Sequence, residues 1–145
     1  MPPMYDTPAE WGLVSNGPNL HTGTIKAALV TSAYTFSGAH DFFDDITNQV
    51  TGDGYTAGGA TIANTAVNRT AGVAVLNGDP VSWPQEAGGF SNARGVVIYR
   101  DSGVAGTSEL LRFYEFAADL GNVLGPLTIS PHATDGWLRG RVNVS

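Results

Sequence analysis

Thr24 to Ala33 reads TIKAALVTSA, and this stretch decides the fold class. Taken with a period of two, it puts Ile25, Ala27, Leu29 and Thr31 on one face and Lys26, Ala28, Val30 and Ser32 on the other, which is the signature of a strand. Working outward, short apolar runs recur between glycines and prolines. Strand character returns in TIANTAVN from Thr61, then at Val73 to Leu76, Val81 to Trp83, Gly95 to Tyr99, Leu110 to Phe116, Leu127 to Ile129 and Leu138 to Val144. Nineteen Gly and eight Pro set turns between these runs, so connections are short and neighbouring strands pair antiparallel. The expected architecture is mainly β: a single-domain antiparallel sandwich or open barrel with one short helix and an extended N-terminal arm.

The helix is expected between Ser37 and Val50, SGAHDFFDDITNQV, as a short helix or paired turns. There Phe42, Phe43, Ile46 and Val50 recur at spacings of three and four, and Asp41, Asp44 and Asp45 fall near the helix start, where the dipole favours carboxylates. After it, TGDGYTAGGAT is a turn with Gly-rich points on either side of Tyr55. At the other extreme, Met1 to Asn19 contains Pro2, Pro3, Pro8 and Pro18, which prevent a continuous helix or central strand. Residues 1–19 are therefore read as an arm, with Tyr5, Trp11 and Leu13 as its large apolar groups, and residues 20–145 as the β domain.

Composition narrows the function. The chain has 145 residues, enough for one domain that buries roughly two-thirds of its unfolded surface. Hydrophobic residues make up 42% and charged residues 14%, outside the range of disordered chains, and no apolar run is long enough for a membrane-spanning helix. With no Cys, disulfides, Cys-ligated metals and thiol catalysis are excluded. A net charge of −6 opposes binding to nucleic acid or anionic membranes, since phosphate neutralisation needs clustered Lys and Arg. Lys26 is the one base among residues 1–68, against Asp6, Glu10, Asp41, Asp44, Asp45 and Asp53. The start, MPPMYDTPAEWG, has neither a basic region nor a continuous apolar stretch, so no secretory signal is expected.

Chemistry-bearing residues are few. His40, Asp41, Asp44 and Asp45 have the donor types for a divalent metal, but their spacing is unlike a calcium loop, and helix-start charges account for them; no metal and no cofactor is expected. Asp53 in Gly-Asp-Gly reads as a turn residue. His21, His40 and His132 could each join a Ser and an acid, yet Gly-x-Ser-x-Gly does not occur, nor does a phosphate-binding Gly-rich loop, so no catalysis is expected. Asn68-Arg69-Thr70 and Asn143-Val144-Ser145 fit the glycosylation pattern and are read as unmodified. Trp11, Trp83 and Trp137 read as core or sheet-edge residues, with an exposed carbohydrate-binding strip as the alternative.

From Leu20 to Phe116 the chain resembles a family of small virion structural proteins of tailed bacteriophages. The resemblance is carried by Thr24 to Lys26, by the HDFFDD run from His40 to Asp45, by Gly-Tyr-Thr-Ala-Gly-Gly at Gly54 to Gly59 and by Val-Val-Ile-Tyr-Arg-Asp at Val96 to Asp101, with VSWP and ELLRFYEF fitting as well. Where members commonly carry a Pro-Asp-rich turn, this chain has Thr35-Phe36-Ser37-Gly38, and its arm is richer in Pro and aromatics. The resemblance implies a capsid or tail component without catalysis. A capsid decoration (cement) protein on the outer surface of the head, assembled in the host cytoplasm, is the reading it favours. Its partner would then be the major capsid protein, its oligomer a trimer, and its capsid contacts Tyr5, Trp11 and Leu13. The alternatives are a minor tail or neck protein, or a carbohydrate-binding module on the virion surface.

Overall fold

In the computed structural model, the described residues are 24–70, 73–131 and 137–141. They form nine strands: β1 (Thr24–Val30), β2 (Ala60–Thr61), β3 (Ala66–Thr70), β4 (Val73–Asn77), β5 (Val81–Trp83), β6 (Ala93–Asp101), β7 (Glu109–Leu120), β8 (Leu127–Ile129) and β9 (Leu138–Arg141). All pairings are antiparallel. The main sheet has the order β2-β1-β6-β7, and two smaller sheets have the orders β3-β4-β9 and β5-β8. The architecture is therefore mainly β and sandwich-like, without a closed barrel among the described residues. The expected arm, with Tyr5, Trp11 and Leu13, lies outside the described residues, as do His21, His132 and Asn143.

The two faces of β1 explain how the main sheet is held. Ile25, Ala27 and Leu29 pack into the larger core with Val96 and Ile98 of β6 and with Leu76, Val81, Trp83, Leu127 and Trp137 from the region of the smaller sheets. Ala28 and Val30 face the opposite side, in a second cluster with Tyr34, Val97, Tyr99, Leu110 and Phe113, onto which Phe36, Phe43 and Ile46 pack. Both faces of β1 are thus covered from Ala27 to Val30, and β1 is apolar on both sides apart from Lys26 and Thr24. An antiparallel sheet commonly leaves one face to solvent; here the segment between β1 and β2 supplies the second cover.

That segment differs from the expected helix. It contains only a 3-10 turn at Phe43–Asp45, and Phe42 and Ile46 on either side are extended. Two forces draw it away from a helix. Its aromatic groups are claimed by the sheet, with the Phe43 ring stacked on Tyr99 at a centroid distance of 4.2 Å. Its backbone is claimed by β7, because Leu110 N–H donates to Asp41 O (3.1 Å) and Phe43 N–H donates to Ser108 O (2.8 Å). The HDFFDD run therefore covers the beginning of β7's outer edge, where an unpaired strand would invite association.

β7 carries two irregularities against β6. Ile98 is opposite Arg112 while Tyr99 is opposite Leu110, so Leu111 is inserted, and Leu110 and Leu111 reach different cores. Farther along, Gly95 faces Glu115 and Ala93 faces Leu120, so residues 116–119 bulge opposite Arg94. Arg94 fastens this bulge, with Nε donating to Phe116 O (3.0 Å) and Nη1 to Asp119 Oδ1 (3.3 Å).

Candidate functional site

The motif from His40 to Asp45 is distributed by the fold rather than gathered around a common point. Asp45 Oδ2 accepts the backbone N–H groups of Asp41 (2.9 Å) and Phe42 (3.3 Å), which hold its carboxyl below the ordinary value. A short acidic side chain bonding its own backbone in this way competes with helix formation. His40 turns instead to Tyr34, whose hydroxyl lies 2.9 Å from Nδ1. Among the described residues, no group of three His, Asp or Glu side chains is placed to share a metal ion.

The second motif, Gly54 to Gly59, wraps the edge of β1. Tyr55 is mostly buried against Trp83 and Phe90. Its hydroxyl accepts Leu29 N–H (3.1 Å) and donates to Gln49 Oε1 (2.7 Å), and burial pushes its pKa up to about 12. Gln49 Oε1 also accepts Gly58 N–H (2.9 Å). Gly59 has φ +84, and a Cβ on it would lie 1.9 Å from Ala27 O, so only glycine allows the turn to close on β1.

Between this turn and the β6–β7 hairpin lies an open pocket of about 260 Å³, bordered by Lys26, Phe43, Gln49, Gly58, Tyr99 and Asp101 among others. Lys26 Nζ sits 3.0 Å from Asp101 Oδ2, while Gly103 N–H donates to Oδ1 (2.9 Å) and Ser108 Oγ lies 3.4 Å from it. Gly103 first, and then Lys26, hold the Asp101 carboxyl below its ordinary value. Tyr99 donates its O–H to Gly58 O (2.6 Å), and burial, followed by the Asp101 charge, pushes its hydroxyl well above the usual range. The pocket thus holds one tyrosine, Tyr99, kept protonated, and a carboxylate made a weaker base. Ser108 Oγ, in a residue 1% exposed, donates to Val104 O (2.8 Å) in the hairpin. These bonds tie the β6–β7 hairpin and the Gly58 turn to the main sheet.

A residue that the sequence did not single out ties a different set of loops together. Asn122 is fully buried. Its Nδ2 donates to Asp53 O (3.0 Å) and Pro84 O (2.8 Å), and its Oδ1 accepts Phe90 N–H (2.9 Å). Its backbone bonds as well: Asn122 N–H to Phe90 O and Glu86 N–H to Asn122 O, both 3.0 Å. Asp53 N–H donates to Gly88 O, so the Gly-Asp-Gly turn is part of the same junction and Asp53 acts as the turn residue expected of it.

The tryptophans divide simply. Trp83 and Trp137 are 3% and 2% exposed within the larger core, so they meet the core expectation and form no surface strip. Trp11 lies outside the described residues. Against known proteins, the chain matches no family model, no curated protein and no solved structure.

Proposed function

We propose that this chain is a structural protein of a tailed-bacteriophage virion, and within that class a decoration protein on the outer surface of the head. The observation that carries the reading is how the motifs behind the resemblance are used. His40 to Asp45 cover a strand edge and a second core, Gly54 to Gly59 close the edge of β1, and Val96 to Asp101 form the centre of the main sheet. Each of these motifs contributes bonds or packing that hold the domain together, which is what a clamp requires. The major capsid protein is the partner in this reading, and a trimer is the oligomer that suits threefold points of a shell. Tyr5, Trp11 and Leu13 would supply anchors from the arm, adding to other footholds through effective concentration.

Location tests the proposal. Purified particles carrying a labelled copy of this chain should show label over the head lattice in many copies. Label confined to the tail axis would replace decoration by the minor tail or neck reading, and absence from particles would remove the virion assignment.

A further inference from the structure

β7 is the outermost strand of the main sheet and, at 12 residues, the longest described strand. On its outer side Phe42 pairs with Glu109, and Leu110 N–H donates to Asp41 O. From Arg112 to Leu120 no strand among the described residues flanks it. An edge of that length invites association unless something covers it. Arg112 is 2% exposed even so, and charged side chains are seldom buried at the margin of a sheet unless something lies beside them. Outside the described residues, 71–72, 132–136 and 142–145 are too short to follow this edge, whereas residues 1–23 are not.

The chain enters the sheet at the end this requires. Thr24 faces Asp101 and Arg100 faces Glu109, so β1 starts at the end of the sheet where β7 starts. From there to the outer side of β7 is three strand spacings, about 14 Å, and the edge from Arg112 to Leu120 adds about 27 Å. Residues 1–23 can extend over about 76 Å, so they span this path with chain to spare. A segment that follows the edge and then leads into Thr24 runs antiparallel to β7, as in every strand pairing described. Proline selects the segment, because it is tolerated in sheets at strand ends and edges. Ala9 to Gly17, AEWGLVSNG, lies between Pro8 and Pro18 and is the longest proline-free run in residues 1–19.

We infer that the outer edge of β7 is a docking site for Ala9 to Gly17 of the same chain, which pairs with it antiparallel as a fifth strand of the main sheet, Gly17 towards Arg112 and Ala9 towards Leu120. The short connection to Thr24 favours the chain's own segment over that of a second copy, through effective concentration. The inference goes beyond the virion reading and does not depend on it. Trp11 and Leu13, two residues apart and so on one face of the added strand, would be presented from ordered backbone, which lowers the cost of any contact they make.

The test is paramagnetic broadening in the full chain, which has no Cys of its own to compete for a nitroxide label. A label on Ser15→Cys should remove amide intensity at the Arg112 end of the free edge, and a label on Ala9→Cys should remove it at the Leu120 end. Spectra of the same variants with the nitroxide reduced show that each is folded. Amides of residues 112–120 spared by both labels overturn the inference, and the opposite order of the two labels overturns its antiparallel register. A mixture of labelled chains with isotope-enriched, unlabelled ones separates the source of the segment. It should leave β7 unbroadened; loss of β7 intensity in the mixture assigns the edge to a second copy and overturns the inference.

Discussion

Replacing Asn122 separates a structural junction from an ordinary turn residue. In Asn122→Ala three side-chain hydrogen bonds disappear. The acceptors Asp53 O and Pro84 O belong to exposed residues that water can reach, so losing those two bonds costs about 1 kcal/mol each. Phe90 N–H is different, because Phe90 is 2% exposed and its donor is left orphaned, at about 1–3 kcal/mol. The total is about 3–5 kcal/mol, a large share of the roughly 5–15 kcal/mol that holds a domain folded. Asn122→Asp sharpens the test because the shape is kept. The new carboxylate can still accept Phe90 N–H, but its second oxygen faces two carbonyl oxygens with no proton to offer. Protonation restores one donor, so the introduced group has a raised folded-state pKa and its penalty shrinks as the pH falls. Urea unfolding at constant m measures both variants. A loss below about 1 kcal/mol for Asn122→Ala, or an Asn122→Asp penalty equal at pH 7 and pH 5, refutes the reasoning.

Four further outcomes are expected. Gly59→Ala should lower stability by about 2 kcal/mol or more, because the left-handed backbone and the 1.9 Å approach to Ala27 O oppose any Cβ; a melting temperature equal to wild type contradicts this. The depressed Asp45 and Asp101 carboxyls contribute stability that is present above the ordinary value of 3.8 and lost as pH falls through their lower folded values, so Asp101→Asn should flatten the acid limb of a stability–pH curve. Tyr55 has the opposite sign: the folded state keeps a proton that the unfolded state loses, so stability falls as pH rises from about 10 towards 12, and Tyr55→Phe should soften that alkaline loss. Chelator should leave the melting temperature unchanged, whereas a drop of several degrees would bring back His40, Asp41, Asp44 and Asp45 as ligands.

The strands were legible because their pattern is local. TIKAALV alternates cleanly, and its apolar residues on both faces already foreshadow a strand covered on two sides; Val81–Trp83 and Leu127–Ile129 fall between turn residues that leave no other boundary. The segment from Ser37 to Val50 misled because its helical spacing joins residues that serve different ends. Phe43 and Ile46 pack on the second cluster, Val50 enters the larger core, and Phe42 pairs with Glu109. Asn122 was invisible for a related reason: in Gly-Asn-Val-Leu-Gly-Pro it reads as a turn former, while two of its partner carbonyls stand 38 and 69 residues away. The left-handed backbone at Gly59 could be suspected from Gly58-Gly59, but not the strand carbonyl that makes glycine obligatory.

Heat-induced release of DNA from filled heads tests the central claim most directly. A clamp that binds the assembled lattice and not dispersed subunits stabilises it by mass action, by an amount set by occupancy. Heads stripped of this protein should therefore release DNA at a lower temperature than decorated heads, and adding the purified chain back should restore the difference in proportion to the sites filled. Release at the same temperature from stripped, decorated and replenished heads would contradict the claim that this protein stabilises the shell.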